Sequence, residues 1–160
     1  EKGRQWERAL GLFSADELGC SAAASACEKG AQWRPALQLL AWARLQGLRR
    51  GLVSVNAVIS ACESALQWRM GLGLLAAAAA DDLPPDVVTF GGVLAACSAC
   101  AAAWHRCLGL LARMRRSRLR ADVLGCKCAA VACGRGGAWP FAVQLLHRFA
   151  QPHGARSEAA

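Results

Sequence analysis

Residues 52–86 read L-V-S-V-N-A-V-I-S-A-C-E-S-A-L-Q-W-R-M-G-L-G-L-L-A-A-A-A-A-D-D-L-P-P-D, and much of the remaining chain is legible as more or less altered copies of them. Residues 25–40 laid over 60–75 give ten identities in sixteen positions at an offset of 35. Two weaker copies follow at 95–111 and 131–146. The cysteines Cys27, Cys62, Cys97 and Cys133 are spaced by 35, 35 and 36 residues, and the tryptophans Trp33, Trp68, Trp104 and Trp139 by 35, 36 and 35. A fixed period of this length marks stacked supersecondary units, none of which can bury its apolar face alone.

Each unit reads as two helices. Val55, Val58, Ile59 and Cys62 recur at helical spacing in the first half, and Trp68, Leu72 and Leu75 in the second. The chain has six Trp, four Phe and no Tyr, and is rich in Ala, Leu and Arg, which favours helix over strand. The pattern predicts helices near 16–29, 32–46, 52–64, 67–80, 87–101, 103–116, 123–134 and 137–150, with the four tryptophans packed between neighbouring helices. The breaks fall at Lys29-Gly30, Ser64-Ala65, Cys100-Ala103 and Gly134-Gly137; glycine in the first and last predicts a left-handed helix end, and the third holds a one-residue insertion. Pro84-Pro85-Asp86 combines a helix stop with an N-cap.

The repeats are placed at 17–51, 52–86, 87–122 and, in degenerate form, 123–157, together one solenoid domain. Before them, residues 1–13 match only the second half of a unit, with Trp6 opening a helix at about 4–13 and Ser14-Ala-Asp-Glu17 a capping box after it. Because the first residue is Glu1 and Trp6 already sits midway through a unit, the expectation is a fragment of a longer array. Residues 151–160, with Pro152 and Gly154, read as a frayed tail.

Nine cysteines are an odd number, and four occupy one repeat position where a small buried side chain is wanted, so they read as buried thiols in a reducing compartment rather than as bridges. Residues 87–104 form an uncharged run of eighteen, but it straddles a repeat turn, and no membrane partner is expected. Cys97-x-x-Cys100 and Cys126-x-Cys128, with His105 nearby, match the spacing of neither a zinc knuckle nor a ribbon. His105, His147 and His153 have no orienting acid in an evident cleft, and neither a phosphate-cradling glycine loop nor a paired carboxylate occurs. The expectation is a protein with no catalytic residues, metal or cofactor. The net charge of +8 suits a polyanion partner, although such an excess is as often a solvated surface.

The 35-residue helix–turn–helix unit, with P-D-V-V-T-F at 85–90, then an A-C pair, then W-x-x-x-L-x-L-L, resembles the pentatricopeptide repeat. The likeness is strongest over 52–122 and weaker over 123–150, where Leu124-Gly125-Cys126-Lys127 replaces the usual start. The tetratricopeptide repeat, with its 34-residue period, does not fit this register. The resemblance implies an all-α solenoid, a right-handed superhelix whose first helices line a groove for single-stranded RNA, each unit reading one base. Unstacked bases expose two flat faces and a hydrogen-bonding edge, so a unit needs an aliphatic wedge and a polar pair.

Carried over residue by residue, the wedge position holds Leu18, Val53, Val88 and Leu124. The edge-reading pair in 52–86 is Asn56 with Asp86, which resembles the family's uridine-reading combination; the plainer reading is an early-helix amide and an N-cap. The remaining pairs depart from the family pattern: Ser21 with Gly51, Gly91 with Asp122, and Lys127 with Ser157. Lys29 and Arg135 stand where the family tends to place a phosphate-contacting base, whereas the arginines of 113–120 lie on a second helix and read as a solvated face. The resemblance further implies a monomeric protein of a chloroplast or mitochondrion engaged in RNA processing, stabilisation or editing. The alternative is a helical-repeat scaffold that takes other proteins along its surface.

Overall fold

The computed structural model describes residues 17–48 and 51–150, with the side chains of 19–48 and 51–147. Over these residues every regular element is helical: α1 Glu17–Lys29, α2 Trp33–Leu45, α3 Leu52–Ser64, α4 Trp68–Ala80, α5 Val87–Ser98, a 3-10 turn Ala101–Ala103, α6 Trp104–Arg116, α7 Val123–Arg135 and α8 Trp139–Ala150. The expected helix at 4–13, the capping box at 14–17, the Leu18 side chain, Ser157 and the tail lie outside the described residues.

The repeating cysteine and tryptophan bracket one turn. The Cys27 carbonyl, near the end of α1, accepts from the Gln32 N–H at 2.9 Å while Glu28 accepts from Ala31 at 3.0 Å. The same pair of bonds recurs at Cys62 (Gln67 at 2.8 Å) with Glu63 (Leu66 at 2.9 Å), and at Cys133 (Ala138 at 2.8 Å) with Gly134 (Gly137 at 3.3 Å). This double bond is the Schellman helix end, which satisfies carbonyls that an unextended helix leaves open. Because the turn is spent by the residue before the tryptophan, the second helices begin on Trp33, Trp68, Trp104 and Trp139, one or two residues later than expected. Pro35 and Pro140 fall in the first turn of α2 and α8, where a missing N–H costs nothing.

Two expectations about these turns need correction. The left-handed residue of the first is Ala31, at φ 52°, not Gly30; it falls at the same repeat position as Leu66, at φ 57°, and only in the last does glycine hold it, Gly137 at φ 73°. In the third unit α5 stops at Ser98 rather than running to 101. There the Cys97 carbonyl takes the Cys100 N–H at 3.1 Å, and the inserted residue is absorbed by the 3-10 turn.

The described residues divide between Ala96 and Cys97 into two compact units. In the first, α1 packs on α2 and α3, α2 on α3, and α3 on α4. Its core is made of small side chains, Ala23, Ala24, Cys27, Ala57, Ala61 and Cys62 among them, with Leu39, Leu40 and Val58, and with Trp33 against its edge. Residues this small bring helix axes close, and α5 is fitted to α3 in the same way: a Cβ on Gly92 would stand 2.8 Å from Ile59 Cγ2. In the second unit α6 packs on α7 and α7 on α8. Gly136 fits beneath Trp104, where a Cβ would meet the indole Cγ at 2.8 Å and the Ala101 carbonyl at 2.9 Å.

Cys27, Cys62, Cys97 and Cys133 are fully buried and unbridged. Burial pushes the Cys62 thiol up to about 11 and raises Cys27 and Cys133, so these groups stay protonated and unreactive at neutral pH. The tryptophans are less uniform than expected. Trp33, Trp68 and Trp104 are half-buried, the first two under the guanidinium of the following Arg34 and Arg69, at 5.1 and 4.7 Å from the ring centre. Trp104 stacks on Phe141 at 5.9 Å. Trp139 is 65% exposed, since no helix among the described residues follows α8 to cover it.

Candidate nucleic-acid interface

Asn56 is the fifth residue of α3, Asp86 stands immediately before α5, and Thr89 is the third residue of α5. The start of α5 is capped reciprocally. Asp86 Oδ1 accepts the Thr89 N–H at 2.8 Å, and Thr89 Oγ1 accepts the Asp86 N–H at 3.2 Å, a capping box with threonine in the place usually held by glutamate. Onto this cap Asn56 is fastened from the preceding repeat. Its Nδ2 lies 3.4 Å from Asp86 Oδ1 and its Oδ1 lies 2.7 Å from Thr89 Oγ1, which is itself 2.7 Å from Asp86 Oδ1. Asp86 is therefore an N-cap and the partner of Asn56 at once; the two readings of the sequence do not compete.

Burial acts to raise the Asp86 carboxyl, but hydrogen bonds from the Thr89 backbone and hydroxyl, from Asn56 and from the Val88 N–H outweigh it and hold the group below its ordinary value. At neutral pH it is a carboxylate. Asn56 and Asp86 are half-buried and Thr89 fully buried, so the three form a fixed polar cluster at the surface.

Val53 and Val88, the second residues of α3 and α5, are each 67% exposed. An aliphatic side chain at a helix start is usually there for packing; these two are not, and they flank the first and last members of the cluster in sequence. Leu124, second in α7, is likewise 59% exposed. Exposed aliphatic side chains at the same register of successive units are unspent apolar surface, available to a flat partner.

The other pairs carry less. Ser21 is half-buried, and Gly51, extended at φ −75° and ψ 151°, caps α3 only through its carbonyl and has no side chain to offer. Gly91 opens onto space free of neighbours within 4 Å of a Cβ. Asp122 caps α7, its Oδ1 accepting the Gly125 N–H at 2.7 Å, but Gly125 has no hydroxyl and the cap ends there. Lys127 and Lys29 are exposed. Arg135 is partly committed: its Nη1 donates to the Ser98 carbonyl at 3.1 Å, satisfying the end of α5. Arg113, Arg115, Arg116, Arg118 and Arg120 are all exposed on or just after α6, as a solvated face requires.

Thr89 is the residue that the sequence reading passed over. Its signal was present in Asp86-Val-Val-Thr89, an acid and a hydroxyl three apart at a helix start.

Among the described residues no three His, Cys, Asp or Glu side chains converge where they could hold a metal ion, and no helix is long and apolar enough to cross a membrane. The chain matches no family model, and no curated protein resembles it significantly.

Proposed function

We propose that the chain is a pentatricopeptide-type solenoid that binds single-stranded RNA, and that the unit 52–86 holds one uridine with its base between Val53 and Val88 and its edge against Asn56. The observation that carries this reading is the pairing of two exposed aliphatic side chains with a fixed amide–carboxylate cluster, one repeat-length apart. A packed helix has no use for bare valines beside a buried polar network, whereas a base needs a grip on its faces and a donor–acceptor pair on its edge. The exposed Leu124 and Lys127 support a similar but plainer contact in the last unit. By the same resemblance the protein acts in organellar RNA metabolism.

Stacking contributes about 1–3 kcal/mol per base, from which the ordering of the strand is subtracted, so four imperfect units bind in the micromolar range or weaker. The test is titration of the chain with U8, C8 and A8 oligonucleotides. A preference for U8 that Asn56→Ala abolishes supports the reading. Equal binding of all three by both proteins removes it and favours a protein-binding scaffold.

A further inference from the structure

Thr89 has one hydroxyl proton and two oxygen neighbours at 2.7 Å, Asn56 Oδ1 and Asp86 Oδ1, while the Asp86 N–H already donates to it. One proton cannot serve both oxygens. Asp86 is ionised, and a charged acceptor takes the proton in preference to a neutral amide. The amide of Asn56 would then point its oxygen at the lone pair of another oxygen across 2.7 Å, a repulsive contact. Turning the amide over removes the conflict without moving a heavy-atom position, because the two ends of a carboxamide have the same shape and are told apart only by their partners.

We propose that Thr89 fixes the orientation of the Asn56 amide through a relay in which Asn56 Nδ2 donates to Thr89 Oγ1 and Thr89 Oγ1 donates to Asp86 Oδ1, and that this lock is what separates uridine from cytidine. Every polar atom of the Thr89 hydroxyl is then used: it accepts from Asn56 and from the Asp86 N–H and donates once. The consequence for recognition follows from the base edges. Uracil presents a donor at N3 and an acceptor at O4, and cytosine presents the same two positions reversed. An amide free to turn over satisfies either; an amide held in one order satisfies one and leaves the other with two like groups facing. The lock is supplied across the repeat boundary, since Thr89 belongs to the unit after Asn56. It is also particular to this boundary: the third residues of α3 and α7 are Ser54, preceded at the cap by Gly51, and Gly125, which has no hydroxyl.

This inference rests on the RNA-binding reading, and the experiment separates the two. The whole chain is titrated with U8 and C8 as wild type, Thr89→Val, Thr89→Ser and Asn56→Ala, and the Asn56 side-chain amide protons are followed by 15N-resolved NMR without RNA. Valine keeps the shape and the backbone N–H but not the hydroxyl; Thr89→Ala replaces it should far-UV circular dichroism show Thr89→Val misfolded. The expected result is a U8 preference that falls by about tenfold in Thr89→Val, is kept in Thr89→Ser, and is accompanied in Thr89→Val by faster exchange of one Asn56 amide proton. A wild-type ratio in Thr89→Val overturns the lock while the RNA reading stands. Absence of any preference in the wild type overturns the RNA reading and the uridine assignment together, and unchanged Asn56 amide exchange in Thr89→Val overturns the relay whatever the RNA data show.

Discussion

Asp86 and Glu63 show opposite electrostatics within one unit, and each makes a distinct pH signature. For Asp86 the folded value lies below the unfolded one, so its stabilisation is present above the ordinary value near 3.8 and is lost as pH falls through the lowered one. Asp86→Ala removes the cap and is expected to cost about 1 kcal/mol at neutral pH, a gap that closes only in strong acid; urea unfolding at a series of pH values measures it. Glu63 is shifted the other way, first by burial and then by Glu28 beside it, above its ordinary 4.5. Its charge opposes folding fully above the raised value, and the opposition disappears below the unfolded one. Glu63→Gln is accordingly expected to raise the melting temperature at pH 7, with the gain shrinking as pH falls past 4.5. A gain independent of pH would show that charge is not the cause.

At the scale of the helices, stability is lost in the turns and recovered in close approaches. Leu66 holds a left-handed conformation at φ 57° with its side chain 61% exposed, so it bears the strain without the benefit of burial. The left-handed state costs a non-glycine residue about 1–2 kcal/mol, and glycine returns less than about 1 kcal/mol of that through a freer unfolded chain. Leu66→Gly is expected to stabilise the protein slightly, by up to about 1 kcal/mol in chemical denaturation. Gly92→Ala is expected to do the reverse. The added methyl would press on fully buried Ile59, and overpacking of about 1–3 kcal/mol exceeds the helix-propensity gain of about 1 kcal/mol. Gly73 is the matched control, on a helix with nothing within 4 Å of its Cβ, and Gly73→Ala should be neutral or stabilising.

Across the whole molecule the helices of each unit contact chiefly their neighbours in sequence, so stability is a sum of local terms rather than the property of one central core. A lesion in one unit should remain there. Gly136→Ala, which would drive a methyl into Trp104 and the Ala101 carbonyl, is expected to speed hydrogen exchange in α6, α7 and α8 well before α1 to α4. Uniform acceleration along the chain would show the two units to be one cooperative block. The net charge of +8 acts on the same scale. It draws a polyanion over long range whatever the base, so affinity for U8 should fall steeply as salt rises while the U8 to C8 ratio holds nearly constant.

The sequence by itself determined the period, the helix pair in each unit and the buried cysteine position, because these depend on contacts a few residues apart that recur in every copy. It also marked Asn56 and Asp86, and the aliphatic residues Val53 and Val88, as a constellation. It was silent on whether those valines were packed or bare, since a valine at a helix start has the same pattern either way and its exposure depends on where the next helix lies. Trp139 was misjudged for the same reason: its repeat position is that of Trp104, but what covers Trp104 is Phe141 and the glycine turn of the following unit. The left-handed seat moved from Gly30 to Ala31 because the Schellman bonds count back from Cys27 and do not consult the residue type. Only the tertiary structure decided that Thr89 closes the polar cluster, since Asn56 and Thr89 are 33 residues apart and meet because α5 is brought close to α3 at Gly92 and Ile59.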